Sequence, residues 1–204
     1  MCTELKPGDF LLPETVPVMV LDGCGLFPHA MLPLYIFEPR YRAMLNLALE
    51  TDRVVAIASR SRIATTGDDV APIACAGLIR ACLGNPDGTS QLVLQGLCRI
   101  RFTDWPQVKP FRIGAAEVFG QPVLEAPQVK RARLLELRHR LRDTFSALPD
   151  EIGEQLENIE DPDALTDLAA SSLLSSPKQR QTILEEADPI RRQQLLITML
   201  GAAD

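Results

Sequence analysis

This sequence has few of the residues on which catalysis and metal binding most often depend. Its 204 residues include two histidines, His29 and His139, and one tryptophan, Trp105; aromatic residues make up 5% of the chain. Zinc takes about four nitrogen, sulfur or oxygen ligands in close array, and neither Cys-x-x-Cys nor His-x-x-x-His spacing occurs. Cys24 and His29 make a pair at best, so no metal and no cofactor are expected. There is no glycine-rich loop ending in Lys-Ser or Lys-Thr, no Gly-x-Gly-x-x-Gly and no Gly-x-Ser-x-Gly. Those gaps exclude the familiar phosphate cradle, dinucleotide site and nucleophile elbow. A Cys24 nucleophile would need a base and a group to orient that base. His29 stands five positions on, no third group suggests itself, and no catalytic residue is expected.

Other absences bound the setting. No stretch approaches the roughly 20 apolar residues that span a bilayer, and the first thirty residues lack the basic start and apolar run of a secretory signal. The five cysteines, Cys2, Cys24, Cys75, Cys82 and Cys98, are odd in number and match no disulfide scaffold, so reduced thiols in the cytoplasm are expected. Cys75 and Cys98 sit in apolar runs, where a free thiol behaves as a small hydrophobe. A net charge of -6 and a pI near 5.0 disfavour contact with nucleic acid. Lys130, Arg131, Arg133, Arg138, Arg140 and Arg142 do crowd one segment. Seven carboxylates between Asp150 and Asp163 follow it, and no aromatic residues interleave to stack on bases. Neither nucleic acid nor membrane is expected as a partner.

What is present is an ordinary globular balance, with 46% hydrophobic and 24% charged residues. The length suits one domain or two small ones, and the character changes near Gln121-Pro122. Residues 1–122 read as a β-rich module, 123–204 as a helical one. Strands are predicted over Pro17–Leu21, Val54–Ala58, Ala74–Leu83, Gln91–Phe102 and Phe111–Val118. The turn formers Asn85-Pro86-Asp87-Gly88 join the third and fourth as a hairpin. In the fourth, Ile100 and Phe102 alternate with Arg99 and Arg101, which predicts one buried and one wet face. One helix interrupts the strands: Glu38 precedes Pro39 at the first helical position, and Tyr41, Leu45 and Ala48 form its apolar stripe.

After Pro122 the period is helical. Leu134, Leu137, Leu141, Phe145 and Leu148 share a face of a helix starting near Pro127. Three more helices are announced by a capping residue followed by proline, at Asp161-Pro162, Ser176-Pro177 and Asp188-Pro189. Their apolar stripes are Leu165, Leu168, Ala169 and Ser172; Ile183 and Leu184; and Leu195, Leu196, Met199 and Leu200.

The stretch from Val16 to Arg42 resembles the opening of the Lon-protease N-terminal, or substrate-binding, domain family. The family pattern is a strand, a loop ending in Phe-Pro, a Leu-Pro-Leu turn, then Ile-Phe-Glu-Pro-Arg-Tyr starting a helix. Here these are Phe27-Pro28, Leu32-Pro33-Leu34 and Ile36 to Tyr41. Ala76-Gly77-Leu78-Ile79, Pro86-Asp87-Gly88-Thr89 and Leu94-Gln95-Gly96-Leu97-Cys98-Arg99 resemble later landmarks, and Leu173 to Leu195 the closing helices. The likeness covers nearly the whole chain, departing from the pattern at Cys24-Gly25 and at Gln95. It implies an α+β fold, a PUA-like β-barrel or pseudobarrel with one inserted helix, followed by a C-terminal α-helical bundle. It also implies a free-standing recognition domain without the ATPase and protease modules that accompany it in full Lon proteases. Phe37, Glu38, Pro39, Arg40 and Tyr41 carry the motif and are expected to be structural.

The function so implied is non-catalytic binding of unfolded or exposed hydrophobic polypeptide segments. The loop from Gly23 to Leu32 supplies the candidate contacts Leu26, Phe27, Pro28 and Met31, because apolar loop residues often serve recognition. The alternative for Leu26 and Phe27 is that they close one end of the barrel. The rival function is a small-molecule-binding or regulatory β-module, for which Trp105, read as a loop residue beside Pro106, would be a pocket wall.

Overall fold

A computed structural model describes residues 11–23, 25–60, 70–120, 125–146 and 150–201, apart from the side chains of 143–152 and 155. The strands are β1 (Thr15–Leu21), β2 (Met31–Ile36), β3 (Val54–Ser59), β4 (Ile73–Gly84), β5 (Ser90–Gln107) and β6 (Arg112–Val118). The helices are α1 (Pro39–Glu50), α2 (Pro127–Ser146), α3 (Asp150–Glu157), α4 (Pro162–Leu173), α5 (Pro177–Glu185) and α6 (Pro189–Gly201). The predicted strands and helices are all present. The module boundary at Gln121-Pro122, together with Cys24 and Leu148, lies outside the described residues.

The long strand β5 organises the sheet. Its first half, Ser90–Gln95, pairs with β2, its second half with β6, and its other edge with β4. Since β4 pairs β3, β3 runs parallel to β1 and β1 pairs β6, which returns to β5, five strands close a ring. β2 hangs from that ring, with β5 as its partner among the named strands. β1, β3 and the first half of β4 are apolar on both sides. Val16, Val18, Val54, Ala56, Ala74, Ala76 and Ile100 pack together as one cluster. The alternate residues Met19, Val55, Ile57, Cys75 and Ile79 join a second cluster with α1, α2 and α4–α6.

Capping at Asp161, Ser176 and Asp188 forms as the sequence predicts. Asp161 accepts from the amides of Asp163 and Ala164, Ser176 from that of Gln179, and Asp188 from those of Ile190 and Arg191. Glu38 stands at the N-cap of α1 but makes no side-chain bond there. The hairpin turn also holds, with Gly88 at φ +80°, a region open to glycine at little cost.

Several expectations need correction. Leu32-Pro33-Leu34 is strand, not turn. Pro33 hid it, because proline within a run argues against a strand unless the strand lies at an edge. Trp105 and Pro106 lie within β5, not in a loop. The acidic segment begins as helix α3. Ser172 is exposed, whereas Leu196 is fully buried and Leu195, Met199 and Leu200 are partly so.

Arg99 is the largest departure: it is buried rather than wet. Its guanidinium forks onto Asp167 of α4 at 2.7 and 2.5 Å, and its Nε donates to the Leu184 carbonyl. Arg192 of α6 lies 3.4 Å from the same carboxylate. The strand pattern places Arg99 on a face; only the helices arriving far along the chain cover that face.

Candidate functional site

The loop before β2 is held by backbone, not by side-chain chance. Gly77 and Gly96 are direct partners on β4 and β5, beside a shift in register between Ala76 and Gly77; with no side chain on either, Leu26 and Phe27 come close to the backbone there. A Cβ on Gly96 would overlap the Phe27 carbonyl oxygen, and one on Gly77 would stand 2.6 Å from a Leu26 methyl. The His29 amide donates to the Gly96 carbonyl at 2.9 Å, and the Gly96 amide to the Ala30 carbonyl at 2.8 Å. Leu26 is 1% exposed and Phe27 0%; Pro28 is buried with them. These three are therefore not surface residues. They are sealed against β4 and β5, with Phe27 beside Pro177 and Leu184 of α5, as apolar groups next to a strand generally are.

Met31 differs, at 54% exposure. Along β2, Leu32, Leu34 and Ile36 turn to the core, and Met31, Pro33 and Tyr35 turn away. Register extends that outward side across two more strands. Met31 stands beside Gln95, which pairs Leu78; Pro33 beside Val93, which pairs Ala81; Tyr35 beside Gln91, which pairs Leu83. Leu83 is 65% exposed, and so is Phe37, at 60%, just past the strand. The Tyr35 and Phe37 rings stack with centroids 6.1 Å apart. The Tyr35 hydroxyl donates to Thr89 Oγ1 at 3.0 Å, which ties the face to the hairpin turn. An open groove of about 590 Å³ runs over Pro33, Tyr35, Ala81, Leu83 and Val93.

This face gathers the exposed Met31, Pro33, Tyr35, Phe37 and Leu83 around Gln91, Val93 and Gln95 of β5, and clustered exposed apolar side chains often mark interaction sites. Its chemistry is adaptable, since Met31 is flexible and polarisable and the two rings offer area at small entropic cost. Proline within β2 fits an edge strand whose free side faces solvent, and it blunts strand-to-strand addition there. Binding would use the side chains of the face rather than a backbone ladder.

The remaining motif residues have separate places. Glu38 pairs with Arg40 at 2.7 Å. The buried Tyr41 accepts from the Val20 amide and donates to the Val20 carbonyl. Burial pushes the Cys75 thiol well up and the Cys98 thiol up, which disfavours the thiolate that reactive cysteines need. Among the described residues no group of three His, Cys, Asp or Glu side chains is placed to hold a metal ion. No helix among them is long and apolar enough to cross a membrane. Half of the basic segment is engaged inside the molecule. Arg133 binds Glu125, Asp163, Gln193 and the Pro189 carbonyl; Lys130 binds Asp161; and Arg138 donates to carbonyls at the end of α3.

The family model described as the ATP-dependent protease La (LON) substrate-binding domain matches residues 15–202. A Lon protease of Trichlorobacter lovleyi is 28% identical over 197 residues, covering 93% of this chain and 24% of that protein. One of Koribacter versatilis is 30% identical over 185 residues, covering 86% and 22%. The chain thus spans about a quarter of the length of these relatives. Among solved structures, the N-terminal domain of a Mycobacterium avium complex Lon protease superposes with a TM-score of 0.71 at 20% identity, over 92% of this chain and 98% of that one. A Lon N-terminal domain protein from Xanthomonas campestris gives 0.65 at 20% identity, over 90% and 97%.

Proposed function

Because the chain belongs to the Lon substrate-binding-domain family, we propose that it recognises exposed apolar segments of polypeptides through the bare face of β2, β5 and β4. It acts by binding, with no chemistry of its own. The observation that carries this reading is the unbroken row Met31, Pro33, Tyr35 and Phe37 beside Leu83, apolar and open to solvent. Met31 remains from the sequence-based choice of contacts. Leu26, Phe27 and Pro28 support the sheet from which the face is built. The closed ring of five strands followed by helices supports a PUA-like reading of the fold, with residues 1–122 and 123–204 as its two modules.

The test is binding of reduced, carboxymethylated lactalbumin, a permanently unfolded chain, followed by fluorescence anisotropy. Replacing Met31, Phe37 and Leu83 together by serine is expected to weaken binding at least tenfold while the melting temperature holds. Undiminished binding by that folded variant would overturn the assignment.

A further inference from the structure

The groove over the bare face is lined by no charged residue among those described. One stands at its margin, Arg80 on β4, and a bulge puts it there. Ile79 pairs Leu94 and Ala81 pairs Val93, so Arg80 is an extra residue that opposes Val93 together with Ala81. Side chains alternate along a regular strand, and Ala81 and Leu83 would then follow Ile79 to the core. The extra residue reverses that order. Cys82 turns to the core beside Ile79, while Ala81 and Leu83 are exposed, and Arg80 is exposed with them. Past Leu78 this stretch of β4 has β5 as its partner among the named strands.

We infer that Arg80 makes the face selective for apolar segments that carry an acidic side chain next to their apolar residues. The inference rests on the polypeptide-binding reading above and names the kind of segment that the face prefers. No hydrogen bond or ion pair with a described residue engages the Arg80 side chain. The carboxylates around the face do not neutralise it. Glu38 is taken by Arg40, and Asp87 by the amide and hydroxyl of Thr89. Asp52, in the turn beside Ile79, does not pair with Arg80. A guanidinium fork suits the two oxygens of a carboxylate. The apolar row supplies the affinity, and the charge at its margin discriminates, favouring an acidic neighbour and opposing a basic one. Because the groove is open, the occupant is an internal stretch of chain and the carboxylate is that of Asp or Glu.

The test uses fluorescein-labelled peptides, capped at both ends, with serine and glycine around a Leu-Phe-Val core and Glu, Gln or Lys after that core. Titration followed by anisotropy should show the parent binding the Glu peptide about two- to fivefold more tightly than the Gln peptide, the range of an exposed ion pair. The Lys peptide should bind most weakly, and added salt should narrow the differences. Arg80→Gln should bring the Glu and Gln peptides level while the melting temperature and the affinity for the Gln peptide hold. Arg80→Glu should turn the preference towards Lys. The Met31, Phe37 and Leu83 serine variant should lose affinity for all three peptides, so the face and its selectivity can fail separately. A charge on a bulge also guards a sheet edge against other strands, but that role gives no preference among peptides. Equal affinity of the parent for the Glu and Gln peptides, or a preference that persists in Arg80→Gln, would overturn this inference alone. Binding of none of the three would overturn the face along with it.

Discussion

Leu26-Phe27-Pro28 and the row from Met31 to Phe37 are neighbours in sequence and alike in composition, yet they meet opposite fates. The first is sealed against Gly77 and Gly96; the second alternates between core and solvent along an edge strand. Arg99 and Arg101 repeat the lesson in charged residues. They are two positions apart on β5, but Arg99 is buried on Asp167 while Arg101 is exposed near Glu117 and stacked over Phe119. In both cases residue type does not decide the role. What decides it is whether another element covers the position.

The comparison can be broken most forcefully at the two buried members. Phe27→Ser should cost about 3–5 kcal/mol, the cost of a large core truncation, and lower the melting temperature sharply. A melt like the parent's would restore Phe27 to the surface. Arg99→Met should cost a similar ~3–5 kcal/mol, because Asp167 would be left buried with a less favourable partner. Arg101→Met should stay within about 0.5 kcal/mol, as exposed substitutions do. Equal chemical-denaturation midpoints for the two arginine variants would erase the distinction drawn here.

A smaller, pH-dependent effect is expected at the start of α4. Partial burial opposes ionisation of Asp161, but the Ala164 amide, the Lys130 ammonium and the Asp163 amide outweigh it and hold the carboxyl below its ordinary value of 3.8. A carboxyl lowered on folding stabilises fully above its unfolded value and loses that contribution as pH falls through the native one. Asp161→Ala should therefore cost about 1 kcal/mol near neutrality, with the gap from the parent closing below roughly pH 4. Melting both proteins across pH 2.5–7 checks it; a gap that persists in acid would mean the carboxylate is not the source. The smallest stability effect belongs to Phe37→Ser, expected within about 0.5 kcal/mol although it removes a large side chain. A fall comparable with that of Phe27→Ser would show that Phe37 is covered after all.

Much of the fold was legible in the residues. Turn chemistry at Asn85-Pro86-Asp87-Gly88, capping residues ahead of Pro162, Pro177 and Pro189, and the 3.6-residue stripes are local signals, and local hydrogen bonding acts on them directly. The candidate site was less legible. Met31 is exposed as a contact residue would need to be, but Tyr35 and Leu83 were not singled out, because Pro33 hid β2 and because Leu83 reaches the face only through cross-strand register. Arg99 appeared wet for the same reason: its partner is 68 residues away.

By itself, then, the sequence determined the order and type of most elements, the family likeness and the want of familiar catalytic motifs. These depend on contacts within a few residues or on motifs read in order. Only the tertiary structure decided which apolar residues are covered and that Arg99 is buried on Asp167. Burial and charge pairing depend on which distant segments arrive at a surface, and no local period encodes that arrival.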